Sequence, residues 1–202
     1  MDDAKRECIL VAAVKAFSRL GFRKTSIDEV AQEAGVGKGT IYLAVSSKDE
    51  LFLQAVEREV RAFLAAGRRV VSATDEALEL LATLLVTEVR EASRRPLVHG
   101  LFVGQTLATV PRAERAVADL QNKLRENLAA ALEGARGTGL LREDLDIRHV
   151  ARILQDLEVA ALVRLERRHD AEARLANLDF RPDIDTFIRG LRRPLALVRA
   201  AS

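Results

Sequence analysis

Lys38, Gly39, Thr40 and Tyr42 bring a cation, a bare backbone, a hydroxyl and a phenol to the outward edge of one short helix. A DNA-reading helix-turn-helix needs a scaffold helix, a tight turn, and a second helix whose first residues reach base edges. The spacing here meets each need. Ile27, Val30 and Ala31 give the scaffold helix its apolar face, and small Ala31 allows close approach. Gly35 suits a positive φ at the turn, Val36 plugs the space between the two helices, and Ile41 packs back from the second.

Other chemistries find little support. There is no glycine-rich phosphate loop, no Cys–His nucleophile arrangement and no Glu-x-x-His pair, so no enzyme is expected. Cys8 is the only cysteine and reads as a small core side chain of the first helix. His99, His149 and His169 fall on different elements with no i, i+4 pairing, so no metal and no cofactor is expected. The net charge is only +2, yet Lys15, Arg19, Arg23 and Lys24 occupy a stretch from Cys8 to Ile27 that holds no Asp or Glu. Residues 1–50 as a whole balance eight Lys/Arg against eight Asp/Glu, so this region is locally patterned, not globally basic. No apolar leader opens the sequence, and its longest run free of Asp, Glu, Lys and Arg, Pro96 to Pro111, falls short of a bilayer span. A cytoplasmic protein with no membrane partner is expected.

The elements that must position these groups read as helices throughout, and no stretch alternates with a period of two. An all-α fold is expected. The first helix spans about Asp3 to Leu20, with Ile9, Ala12, Ala13, Ala16, Phe17 and Leu20 on one face and Gly21 placed to end it. Ser26 and Glu29 form a capping box for the scaffold helix. A short helix spans about Lys38–Val45. Ser46/Ser47 with Asp49-Glu50 start another that runs into the seventies. Further helices are expected near Asp75–Ser93, Pro96–Thr109, Arg112–Arg136, Asp146–Arg168 and Pro182–Arg193, with Pro194 stopping the last.

The stretch from Ile9 to Phe52 closely resembles the DNA-binding domain of the TetR family. The matching residues include Ile9-Leu10, Ala12-Ala13, Phe17, Gly21-Phe22, Thr25-Ser26-Ile27, Val30-Ala31, Ala34 through Tyr42, Ser47-Lys48 and Leu51-Phe52. Downstream the only family signal is the turn from Gly139-Leu140-Leu141-Arg142 to Asp146. The resemblance implies an N-terminal three-helix DNA-binding domain, residues 1–50, and a helical-bundle ligand-binding and dimerisation domain, residues 51–202. It implies DNA contacts by Thr25, Ser26, Gly37, Lys38, Gly39, Thr40, Tyr42 and Lys48. Thr25 and Lys48 would hold phosphates, Tyr42 would reach another, Lys38 or Thr40 would lie near bases, and Gly37 and Gly39 would let the backbone approach. Two positions depart from the pattern: an aromatic pair usual after Tyr42 is here Ala44 and Val45. Val45 keeps a core side chain of less bulk, while Ala44 removes a phosphate contact.

Residues 78–89 are apolar nearly all round, as in a helix buried by its neighbours. Sparse polar groups in such surroundings suit a small-molecule pocket of mostly apolar character. Thr87, Glu88, His99, Phe102, Gln105 and Thr106 are candidate ligand contacts, with Gln155, Glu158 and Val159 added from a later helix. Ile153, Leu154, Leu157 and Ala161, then Phe187, Ile188 and Leu191, form the stripes of a two-fold four-helix interface, so the last two long helices are expected to build a homodimer. The function the resemblance to the TetR family implies is a transcriptional repressor released from a palindromic double-stranded DNA operator by a small molecule. The alternative is a dimeric helical ligand-binding protein whose DNA binding is weakened or lost.

Overall fold

The computed structural model describes residues 2–71, 77–103, 111–166 and 180–192. Among them the regular structure is helical: α1 (Asp3–Lys24), α2 (Ile27–Glu33), α3 (Lys38–Ala44), α4 (Lys48–Val71), α5 (Ala77–Ser93), α6 (Pro96–Phe102), α7 (Pro111–Gly137), α8 (Ile147–Glu166) and α9 (Arg181–Leu191). The all-α expectation holds for these residues. Gln105, Thr106 and His169, the breaks expected at Ala73-Thr74 and Ala176, and the chain around Pro194 lie outside the described residues.

The chain divides into two compact units. The first takes Met1–Leu64 and Arg94–Ala118, the second Ala65–Ser93 and Asp119–Ser202. The unit that holds the first three helices therefore reaches well past residue 50. Its core shows why. Ile9, Leu10, Ala13 and Phe17 of α1 pack with Val30 of α2, Ile41 of α3, and Leu51, Phe52 and Val56 of α4. Leu97 and Leu101 of α6 and Ala113 and Val117 of α7 close the same core. Helices of seven residues such as α2 and α3 are too short to persist alone, so this burial is what holds them.

Local signals set the breaks. Gly21 has φ +76° and departs from helical geometry, so the regular part of α1 stops after Leu20, where glycine alone accepts the conformation without strain. A last turn carries the chain on to Lys24. Gly35, at φ +65°, makes the turn between α2 and α3 in the same way. The box at the start of α2 is complete: Ser26 Oγ accepts from the Glu29 amide at 3.1 Å, and Glu29 Oε2 accepts from the Ser26 amide at 2.7 Å. Those bonds hold the Glu29 carboxyl below its ordinary value, the Ser26 amide contributing most.

In the second unit the inward stripes are Leu78, Leu81, Leu85 and Val89 on α5, Leu120, Leu124, Leu128 and Leu132 on α7, and Val150, Leu154, Ala161 and Leu165 on α8. Ile184, Ile188 and Leu191 complete it from α9. The turn after α7 passes through Gly139 at φ +77°, and the Arg142 amide donates to Leu191 O at 3.1 Å, tying that turn to the end of α9. α9 ends at Leu191, three residues before Pro194. No described helix is long and apolar enough to cross a membrane.

Candidate functional site

α3 owes its attachment to two apolar anchors. Ile41 is fully buried and Val45, just after the helix, is 3% exposed, so the smaller residue still fills the core position expected of it. With these inward, the opposite edge carries exposed Lys38 and Gly39, part-buried Thr40, and exposed Tyr42 and Leu43. Leu43 is 80% exposed, more than any other large apolar side chain among the described residues. An apolar residue within a helical run reads as core from sequence, which hides this position. A Cβ built on Gly37 or Gly39 meets nothing within 4 Å, so the surrounding protein does not require glycine at either place.

The charges beside this edge are paired. Lys38 Nζ donates to Asp28 Oδ2 at 2.7 Å, joining the starts of α3 and α2 across their exposed side, and this bond raises the lysine pKa. Lys15 reaches Glu33 at 3.4 Å. At the start of α4, Ser47 Oγ accepts from the Glu50 amide, and the Glu50 carboxylate reaches back to the Ser46 hydroxyl and amide, which lower its pKa.

Three of the residues expected at DNA make hydrogen bonds within the chain. Thr25 is 2% exposed and its hydroxyl donates inward, to Gly21 O at 2.8 Å and Ala16 O at 3.2 Å. A hydroxyl has one hydrogen, and here it is shared between these two carbonyls of α1, the Gly21 carbonyl also accepting from the Thr25 amide at 3.2 Å. The Ser26 hydroxyl is likewise spent on Glu29 Oε2 at 2.9 Å. Lys48 Nζ turns in as well, donating to Phe22 O at 3.0 Å and Thr25 O at 3.1 Å, with the ammonium 4.5 Å from the centre of the Phe22 ring. Phe22 belongs to a cluster with Phe17 and Phe52, whose centroids lie 5.0–6.1 Å apart. Lys48 thus locks the last turn of α1 onto the start of α4.

The expected ligand contacts divide between the units. His99 and Phe102 belong to the first, where Phe102 packs on Phe63 at 5.8 Å. Thr87, Glu88, Gln155, Glu158 and Val159 belong to the second. There α5 packs on α8, and Glu88 and Glu158 meet as a hydrogen-bonded pair of carboxyls. Glu158 is 3% exposed. Burial raises both, and the Glu88 charge together with the bond to it raises Glu158 further, so Glu158 keeps the proton and donates it to Glu88. Gln155, one turn earlier on α8, accepts from Arg125 Nε at 2.9 Å and donates to Gln121 O at 3.0 Å. The stripe expected for a dimer is partly used within the chain: Leu154, Ala161, Ile188 and Leu191 are buried, while Ile153, Leu157 and Phe187 remain partly exposed.

Residues 9–55 match the family of bacterial regulatory proteins designated tetR. Over 48 residues the chain is 48% identical to the uncharacterized HTH-type transcriptional regulator YhgD of Bacillus subtilis, covering 24% of this chain and 25% of that one. The match therefore spans about a quarter of that relative's length. The HTH-type transcriptional repressor KstR2 of Mycobacterium tuberculosis is 29% identical over 160 residues, 76% of this chain and 78% of its own. The solved structure of the transcriptional regulator FadR from Bacillus subtilis, in complex with stearoyl-CoA, shares the fold with a TM-score of 0.73 at 16% identity, over 92% of this chain and 99% of that one. A helix-turn-helix held in this way and the residues that match lead to one conclusion: residues 9–55 match the tetR family of bacterial regulatory proteins, and the chain shares the fold of the FadR regulator.

Proposed function

We propose that this protein is a DNA-binding transcriptional repressor that holds a palindromic operator as a homodimer and leaves it when a small molecule binds. The observation that carries the reading is the edge of α3, where Lys38, Thr40, Tyr42 and Leu43 stand clear of a core closed by Ile41 and Val45. In this reading Tyr42 bonds a phosphate, Lys38 and Thr40 reach phosphate or base edges, and Leu43 lies against a thymine methyl. Gly37 and Gly39 admit the DNA backbone closely. Residues 1–50 do the reading, and residues 51–202 sense and dimerise. Ile153, Leu157 and Phe187 are the apolar side chains left for a partner copy. A two-fold dimer places its α3 helices about 34–36 Å apart, in successive major grooves. KstR2 is named a repressor, and the FadR structure holds stearoyl-CoA, which supports release by an organic ligand in this family.

A second reading, a dimeric ligand-binding protein with weakened DNA binding, draws on the Thr25 and Ser26 hydroxyls and the Lys48 ammonium, which bond groups within the chain. Footprinting on the DNA upstream of the protein's own gene separates the two. Protection of a two-fold symmetric site, lost in Tyr42→Ala and weakened with a steep dependence on salt, is expected of the repressor. No protection at low salt favours the second reading.

A further inference from the structure

Among the described residues, the buried Glu59 is paired with Arg58, whereas the Glu88–Glu158 pair of the second unit has no cation beside it. Glu88 Oε2 and Glu158 Oε1 are both inaccessible, and neither accepts a hydrogen bond from an N–H or O–H group among the described residues. Their surroundings are apolar: Leu85, Val89 and Ala92 flank Glu88 on α5, and Leu154, Ala161 and Leu162 flank Glu158 on α8. Among the described residues, the only charged group acting on either carboxyl is the other one. Arg125 bonds Gln155 one turn away and Asn122, and it is not among the groups acting on either carboxyl. Two carboxyls in an apolar seam cannot both ionise without a counter-charge, so a single proton shared between them is the resting state. Such a seat has room in its bonding for one positive group, which none of the described residues supplies. Glu88 as a residue is only half-buried, as are its neighbour Thr87 and Val159 on α8, which gives the pair an accessible margin.

We propose that Glu88 and Glu158 seat the headgroup of an organic cation, a primary or secondary ammonium on an apolar body, whose N–H groups bond both carboxylates. The inference rests on the sensing role proposed above and assigns its ligand a charge. Binding exchanges one cation for another. The Glu158 carboxyl gives up its proton to solvent, the ammonium takes that proton's place between the two carboxylates, and the apolar body covers the margin. The net charge of the seat is the same before and after, so burial of the ammonium leaves no uncompensated charge. An anionic ligand head would instead face Glu88 unshielded.

The test uses the full-length protein with a series of n-alkylammonium chlorides from butyl to decyl, with the matching alcohols and carboxylates as controls. Titration calorimetry in two buffers of different ionisation enthalpy, at one pH and salt concentration, reads affinity and proton release together. The expected result is at least ten-fold tighter binding of one or more ammonium chains than of the matched alcohol or carboxylate, with about one proton released per ligand bound. Glu88→Gln with Glu158→Gln should lose ten-fold or more in ammonium affinity and all proton release while keeping its helical circular dichroism. Asp156→Asn, on the exposed face of α8, should change neither. The proposal is overturned if no ammonium of the series binds, if alcohols or carboxylates bind as well, if binding releases no proton, or if the double variant binds unchanged. Operator retention by gel shift, run with the same probes, separates this from the sensing role. Ammonium binding that leaves the operator complex intact removes the sensing role and keeps the charge assignment; release by alcohols or carboxylates, unaffected in the double variant, does the reverse.

Discussion

Replacing Lys48 with alanine should cost about 2 kcal/mol of stability, and any loss of DNA binding should follow from that cost. The side chain makes two charge-assisted bonds, at 3.0 and 3.1 Å, to the carbonyls of Phe22 and Thr25, and places its ammonium over the Phe22 ring. Hydrogen bonds from a charged donor contribute about 1.5–3 kcal/mol each, and a cation over a ring in partly exposed surroundings about 0.5–1 kcal/mol. Both bonds are only part-buried, so the lower ends apply, and freeing a lysine returns up to about 2 kcal/mol of rotamer entropy. The net is about 2 kcal/mol, or a melting temperature lower by roughly 4–8 °C for a chain of this size. Thermal melts followed at 222 nm measure it, alongside gel shifts at 10 °C, where the variant remains folded. Operator affinity at 10 °C should fall by less than three-fold. An unchanged melting temperature together with a ten-fold or larger loss of affinity at 10 °C would refute the reasoning and return Lys48 to a phosphate.

Gly39→Ala adds a methyl to a helix position with open space around it, so it should stabilise the protein by about 0.5–1 kcal/mol while weakening operator binding ten-fold or more; melting and gel shift together check the opposed signs. Asp28→Asn removes the partner of Lys38 and a negative charge beside the DNA edge, so operator affinity should rise roughly three-fold at low salt and less at high salt. Glu158→Gln should stabilise the protein increasingly as pH rises: the folded carboxyl holds its proton above the ordinary value of about 4.3, the unfolded one releases it first, and wild-type stability therefore falls with rising pH. Denaturant titrations at pH 5 and pH 8 should show the larger gain at pH 8.

The first unit was legible from sequence where its determinants are local. Gly21 and Gly35 announce left-handed turns because glycine alone adopts them freely, and the Ser26–Glu29 box closes over three residues. The apolar periodicity around Phe17 and Ile41 marks a core because helical spacing gathers those side chains on one face. Thr25 and Lys48 could be seen as polar, but where their hydrogens go depends on which carbonyls the folded backbone brings beside them. The same limit applies to α8 and α9. An apolar stripe does not say which neighbour covers it, and the chain's own packing takes Leu154, Ala161, Ile188 and Leu191 before any second copy arrives. Glu88 and Glu158 were each visible as polar residues in apolar helices; that they pair is set by how α5 lies on α8, for which one sequence carries no signal.

The way α6 and the first turns of α7 complete the core beneath α3 bears on how this protein could be re-engineered. Leu97, Leu101, Ala113 and Val117 supply one wall of the hydrophobic interior that α1 to α4 enclose. A hybrid regulator spliced just after α3, or anywhere along α4, would graft a DNA-reading head onto foreign side chains at that wall and leave it ill-fitted. The seam for an exchange is discontinuous: the head travels intact only as residues 2–64 together with 94–118, or with the recipient's wall repacked to match these four side chains. Swapping operator specificity between relatives is therefore safer by changing the exposed side chains of α3, each of which can be altered without touching that interior.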